Sequence, residues 1–263
     1  MLSYRHAFHA GNSTDALKHT ILTFCLDYLG QKEKPYLCID THAGSGVYSL
    51  NSIYANQNRE WENGIGVLRK TNKSKLPAIL LRYLEVADGE NYCGSSGIMK
   101  KLIRNQDRLC SFELHPADFM ELENLFKETP NAKAFNTDGF QGLLSLLPPI
   151  SRRACIFIDP SYEINSDYDL LPDVLTKSLK IFPQGLYIIW HPILYHKKIT
   201  FSFQEKIMNL YDGNRFSITL FNDSNKNMYA SGLVIYNPPW TLKKAVEEIS
   251  QILPEVFKLT LSF

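Results

Sequence analysis

Apolar residues along this chain fall into two patterns that alternate. Short, nearly unbroken runs at Tyr36–Ile39, Leu109–Phe112, Cys155–Ile158 and Leu186–Trp190 read as strands buried on both faces. Between them, apolar positions recur every three or four residues. Ala16, Leu17, Thr20, Ile21, Phe24, Cys25 and Tyr28 predict a helix from about Asp15, capped by Ser13 or Thr14 and closed by Gly30. Phe119, Leu122 and Phe126 mark the inward face of a second helix over Pro116–Lys127. Further helices are expected at Phe140–Leu147, which Pro148-Pro149 breaks, and at Leu171–Phe182, Phe203–Leu210 and Leu242–Ile252. A short strand at Ala132–Phe135 and a final adjacent pair, Phe216–Phe221 and Gly232–Tyr236, bring the strands to seven. The polar stretch Asn222–Asn227 joins that pair as a hairpin or a longer loop. Strands that alternate with helices predict an α/β fold with a mostly parallel sheet and an antiparallel last strand.

Two stretches stand outside the alternation. Residues 51–92 are polar and rich in Asn at first, then carry helix-like pieces near Glu60–Lys70 and Pro77–Val86. They predict an inserted helical subdomain within a single domain spanning 1–263, followed by a helix that starts at Gly94-Ser95-Ser96. Residues 1–12 hold His, Tyr and Gly but no periodic apolar face. A mobile tail is expected there, because such a segment has little to offset its ordering entropy until a ligand supplies contacts.

The chemistry gathers where strands stop. Ligands of open α/β sheets bind beyond the carboxyl ends of the strands. The first strand closes at Asp40, followed by Thr41-His42-Ala43-Gly44-Ser45-Gly46, a glycine-bearing turn that lets backbone approach a ligand. The next strands end near Glu113 and at Asp138-Gly139, and then comes Asp159-Pro160-Ser161-Tyr162. A carboxylate, a proline and an aromatic ring at a strand end suit methylation of an exocyclic amine on a flat ring. Asp159 and the Pro160 carbonyl can accept the two N–H hydrogens, while Tyr162 offers a face for stacking. Amino-methyltransferases carry Asp-Pro-Pro-Tyr here, so Ser161 relaxes a restriction that proline would place on the residue before it. Asn237-Pro238-Pro239-Trp240 resembles the same tetrapeptide, but it follows the last strand, so a structural turn is expected there.

At 263 residues, with 44% hydrophobic and 21% charged residues, the chain can bury a full core. No apolar run approaches the roughly 20 residues of a bilayer span, and the first residues do not read as a signal peptide, so a cytoplasmic location without membrane attachment is expected. The five cysteines form no C-x-x-C pair and read as buried thiols; no histidine spacing suggests a metal site. A net charge of +1 gives no overall basic footprint. Clusters such as Arg69-Lys70, Lys100-Lys101, Arg152-Arg153 and His196-Lys197-Lys198 still permit local phosphate contacts.

Taken in order, Met1–Asn12, Leu17-Lys18-His19-Thr20, Asp40–Gly44, Glu113-Leu114-His115-Pro116, Asp138-Gly139-Phe140, Ser151-Arg152-Arg153, Ala230-Ser231-Gly232 and Asn237–Trp240 resemble the bacterial 23S rRNA (adenine(2030)-N6)-methyltransferase family, the large-subunit methyltransferase J type. The resemblance implies a Rossmann-like S-adenosylmethionine-dependent methyltransferase fold. It also implies methyl transfer from S-adenosylmethionine to N6 of an adenine in 23S rRNA. A monomer acting on naked rRNA or an early assembly intermediate is expected. It places Lys18, His19, His42, Ser95, Glu113, Asp138 and Gly139 at the cofactor and makes Asp159 catalytic. Tyr4 and His6, reaching from the tail, and Tyr162 would meet the base. The residues themselves leave two alternatives open. One is methylation of another planar amine: guanine N2, cytosine N4 or a protein glutamine. The other is a Rossmann-like RNA-binding protein that has lost catalysis.

Overall fold

The computed structural model describes residues 5–163, 166–221, 228–256 and 260–262. The first helix, α1 (Ser13–Gly30), starts where the Asn12 side chain accepts the Asp15 N–H, one residue before the expected cap. The strand β1 (Leu37–Asp40) follows, and then β2 (Val47–Tyr48), α2 (Ile53–Asn58), α3 (Ile65–Lys70), α4 (Ala78–Ala87), β3 (Tyr92–Cys93) and α5 (Ser95–Leu102). The regular alternation runs through β4 (Arg108–Phe112), α6 (Pro116–Phe126), β5 (Ala132–Phe135), α7 (Gly139–Leu146), β6 (Ala154–Ile158), α8 (Asp167–Ile181) and β7 (Leu186–Leu194). It closes with α9 (Lys198–Met208), β8 (Arg215–Phe221), β9 (Met228–Tyr236), α10 (Leu242–Val256) and β10 (Thr260–Ser262).

All seven expected strands lie in one sheet of order β10-β8-β9-β7-β6-β1-β4-β5, with β10 as an added short edge strand. The β7-β6-β1-β4-β5 block is parallel, and β9 runs antiparallel between β7 and β8. Strand β6 shows why its run lacks polar breaks: Cys155 and Phe157 face one helical layer, and Ala154, Ile156 and Ile158 face the other. Helices α1, α4, α5, α6 and α10 cover the first face, while α7, α8 and α9 cover the second. Every free cysteine is buried or partly buried. Among the described residues, no helix is long and apolar enough to cross a membrane.

The chain leaves β1 for β4 and β5 on one side, then returns to β6 and β7 on the other. The direction therefore reverses between β1 and β6, and a crevice opens above their carboxyl ends, where open α/β sheets bind ligands. Residues 51–92 are helical up to Tyr92, which pairs with Tyr48 in a two-stranded ribbon that brings the ends of the segment together. Tyr83 and Leu84 of α4 share one buried core with Leu22 and Leu26 of α1.

Two local features differ from the pattern reading. Strand β7 continues through Pro192 to Leu194, because β6 stops opposite Ile189 and leaves that side of β7 an edge, where proline is tolerated. Residues 5–12, which lack an apolar stripe, are held here by polar contacts. Arg5 pairs with Asp118 at 3.0 Å, and His6 Nε2 lies 2.9 Å from Asp15.

Asn237 ends β9 at the amino-terminal edge of the parallel block, away from the crevice. Its amide donates to the carbonyls of Pro183 and Gly185, at 2.8 and 2.7 Å, and its φ of 53° is tolerated better by Asn than by a residue without a local hydrogen bond. Asn237→Ala is expected to lower stability by about 1–3 kcal/mol in urea unfolding, through two orphaned carbonyls and the strained φ. Ligand binding in the crevice should be unchanged.

Candidate active site

Asp159 follows the last residue of β6, and its carboxylate meets the first helix across 141 positions of sequence. Lys18 Nζ lies 2.7 Å from Asp159 Oδ2 and 2.7 Å from Asp15 Oδ1. The other Asp15 oxygen accepts the Gly11 N–H at 2.8 Å and faces His6 Nε2 at 2.9 Å. Asp15 and Lys18 are almost completely buried. Burial opposes the charge on Lys18, but the two carboxylates outweigh it and hold the ammonium above its ordinary range. Burial likewise opposes ionisation of Asp15; His6 and Lys18 outweigh it and keep that carboxyl well below the usual carboxylate range. Lys18 also lies 5.3 Å over the Trp190 ring. It is expected beside the cofactor, and its partner in the structure is the catalytic candidate itself.

Across the crevice, Asp40 is fully buried at the end of β1. Ser96 donates to its Oδ2 at 2.6 Å and Ser95 lies close enough to favour the charged carboxyl, yet Oδ1 has no hydrogen-bond partner. Burial pushes the Asp40 carboxyl up to about 6 against those serines. Asp40 is absent from the residue set expected at the cofactor. The signal for it was the acid that closes the first strand ahead of the glycine turn. In that turn Gly44 and Gly46 hold φ of +57° and +76°, which residues with a Cβ rarely adopt. Glu113 braces the turn: one oxygen accepts the Gly44 N–H at 2.8 Å, the other the His115 N–H at 2.7 Å. Burial raises its carboxyl above the usual value.

The remaining expected residues sit as follows. His42 bonds Thr41 Oγ1 at 2.8 Å and meets Phe140 edge-on at 5.0 Å; desolvation lowers it to about 4, so it is neutral near pH 7. Asp138 caps α7 by accepting the Gln141 N–H at 2.8 Å. Gly139 lets α7 press on the β1 turn, since a Cβ there would stand 1.8 Å from the Thr41 carbonyl oxygen. His19 is buried one layer below, with Nδ1 2.7 Å from Tyr92 Oη, and burial lowers it to about 3. Tyr4 lies outside the described residues.

Tyr162 departs from the expectation of an open stacking face. It is 3% exposed, with its ring against Tyr168, Trp190 and Phe203 and its hydroxyl donating to the Trp190 carbonyl at 2.7 Å. The physical reason is its φ of 52°, a left-handed turn that aims the side chain back into the core. The loop that holds Ser161 is thereby anchored by an aromatic residue rather than by a second proline.

Residues 33–260 match the family described as "Ribosomal RNA large subunit methyltransferase D, RlmJ". Over 263 residues the chain is 37% identical to the ribosomal RNA large subunit methyltransferase J of Escherichia coli (strain K12), with 97% of this chain and 92% of that protein covered. The chain belongs to the RlmJ family. The methyltransferase J of Haemophilus influenzae is also 37% identical, over 95% of this chain and 92% of its own length. The crystal structure of protein LPL1258 from Legionella pneumophila superposes with a TM-score of 0.88 at 32% identity, covering 97% of this chain and 98% of that one.

The methyl donor of this methyltransferase is S-adenosylmethionine. The crevice suits a ligand with an amine, ribose hydroxyls and a flat base. Asp40 keeps a buried acceptor without a partner, the glycine turn lets backbone approach closely, and Glu113 stands at the end of the neighbouring strand.

Acid titration should separate the two buried carboxylates. Asp40 binds its proton more tightly when folded, so the stability it contributes is lost as pH rises from about 4 to about 6. Asp15 behaves oppositely: its contribution is complete above about pH 4 and is lost as pH falls through its depressed folded value. In urea unfolding near pH 7, Asp40→Asn is expected to gain about 2 kcal/mol while losing affinity for S-adenosylmethionine. Asp15→Asn is expected to lose about 3 kcal/mol or more, because Lys18 is left underpaired.

Proposed function

We propose that this RlmJ-family chain methylates N6 of an adenine in 23S rRNA, position 2030 by family resemblance, acting as a monomer on naked rRNA or an early assembly intermediate. The observation that carries the reading is the Asp159-Pro160 strand end beside the glycine turn, at the crevice where the sheet reverses direction.

An adenine amine is a poor nucleophile because its lone pair is delocalised into the ring. Lys18 takes Asp159 Oδ2 and fixes the carboxylate, so Oδ1 and the Pro160 carbonyl remain to accept the two N–H hydrogens. Accepting both draws the nitrogen toward a tetrahedral shape and aims its lone pair. When bound, S-adenosylmethionine supplies the electrophilic methyl group. After transfer the nitrogen carries a positive charge and is acidic enough to release a proton without a strong base, so Asp159 acts by orientation and hydrogen bonding. The base enters unpaired or flipped from its stack, since a duplex hides the amine. The candidate cofactor residues of this chain are Asp40, Glu113, Ser95, His42 and the turn at Gly44 and Gly46, with Asp138 and Gly139 on the far side. Residues 1–12 serve as a tail over the bound cofactor, and within its described part Arg5 and His6 make contacts with Asp118 and Asp15.

Tritium transfer from labelled S-adenosylmethionine to undermethylated 23S rRNA, followed by nucleoside analysis, should yield N6-methyladenosine. Label in N2-methylguanosine or N4-methylcytidine would replace the adenine assignment, and cofactor binding without transfer to any RNA would mark a catalytically lost protein. Asp159→Ala should abolish transfer and leave cofactor affinity within about threefold; near-normal turnover would remove Asp159 from the mechanism. Hydrogen exchange at residues 5–10 should slow on adding S-adenosylmethionine. Equal protection with and without the ligand would make the tail permanent structure.

A further inference from the structure

Beyond the crevice, β7 rises past the end of β6 by the five residues Trp190 to Leu194, about 16 Å of strand on the edge that bears Asp159. At its tip four aromatic rings gather from two strands, the turn after β7 and a helix. Tyr229 of β9 is the hub, with Tyr195 at 5.0 Å, Phe221 of β8 at 5.6 Å and Phe201 of α9 at 5.9 Å. Tyr195 and Phe201 are about half exposed, at 47% and 50%, with Ile199 at 46% between them. Rings that could pack inward here stand in water beside the catalytic edge.

The segment that bears two of these rings is basic. Segment 195–206 carries Lys197, Lys198 and Lys206 against the single acid Glu205. Lys197 and Lys198 also occupy the N-terminus of α9, where the helix dipole disfavours cations. That placement costs stability locally and concentrates positive potential at the rim of the aromatic cluster. Lys197 links the cluster to the active site: its ammonium lies 5.9 Å over the Tyr168 ring, which packs 4.7 Å from Tyr162.

Lysine is depleted from the cores of protein–protein interfaces, whereas exposed rings interleaved with lysines suit unstacked bases on a phosphate backbone. We infer that the Tyr195–Phe201–Tyr229 cluster with its lysines is a docking surface for single-stranded RNA flanking the target nucleotide. The inference rests on the RNA-methyltransferase reading and adds to it the place where the strand beside the methylated base is held. A flipped base is presented at Asp159 while its neighbours stack along the raised tip of β7, which limits the site to targets in loops or opened helices.

The test compares wild type with Tyr195→Ala/Phe201→Ala. Its readouts are anisotropy of a short fluorescein-labelled single-stranded RNA, steady-state methylation of transcribed 23S rRNA, and the affinity for S-adenosylmethionine. Each lost stacking ring should raise the RNA Kd and the KM for rRNA about fivefold or more. The kcat at saturating RNA and the cofactor affinity should stay unchanged, which also shows that the variant is folded. Tyr195→Phe/Phe201→Tyr should restore RNA affinity, and Lys198→Ala/Lys206→Ala should reduce the salt slope of log Kd by about 1.4. Equal Kd and KM in wild type and the alanine variant would overturn the docking surface and leave the Asp159 assignment intact. A change in sedimentation state without a change in RNA affinity would overturn it in favour of contact between copies of the chain.

Discussion

The buried ammonium of Lys18, set between Asp15 and Asp159, is the contact on which the rest of the site depends. Three charges removed from water are tolerated only when they pair closely and their remaining valences are filled. Here the Gly11 N–H and His6 occupy the second Asp15 oxygen, while Lys18 takes Asp159 by its Oδ2 alone. The result is a mechanical connection. The N-terminal segment, the first helix and the carboxylate at the end of β6 share one electrostatic cluster, so a shift in any of them is felt by the others.

Around that cluster the sheet divides its labour by strand. Strand β1 brings a buried acid with a spare acceptor and a turn whose positive φ values favour glycine, and β4 brings the acid that braces the turn. Strand β6 brings the carboxylate and the proline carbonyl, and β7 brings Trp190, which lies under Lys18 and takes the Tyr162 hydroxyl on its carbonyl. Methyl transfer depends above all on the orientation of donor and acceptor. A rigid parallel sheet that presents fixed groups at adjacent strand ends provides it.

The near-neutral total charge hides how unevenly charge is placed. Basic groups at the amino-terminal edge are spent on structure: Arg104 bonds the Gly30 and Lys32 carbonyls, and Arg153 bonds the Leu29 carbonyl. Those at the tip of β7 stand beside exposed rings instead. Side chains of one kind therefore sit in different surroundings at the two edges, and net charge cannot tell the two apart.

Much of the fold was legible in the sequence, because a strand covered on both faces must be continuously apolar and its covering helices must repeat every three to four residues. That constraint set the seven strands, their alternation with helices and the acids at their carboxyl ends, including Asp40, Glu113 and Asp159. The three-residue β10 and the two-residue β2 and β3 are too short to leave a period, and the extension of β7 through Pro192 depends on where its neighbour stops. Local pattern likewise could not choose Asp159 as the partner of Lys18, leave Asp40 Oδ1 without a bond, or turn Tyr162 inward at positive φ. Residue type and spacing state what a side chain can do within its own element. Which group it meets is decided by the packing of elements far apart in the chain, and here that packing joined residue 18 to residue 159.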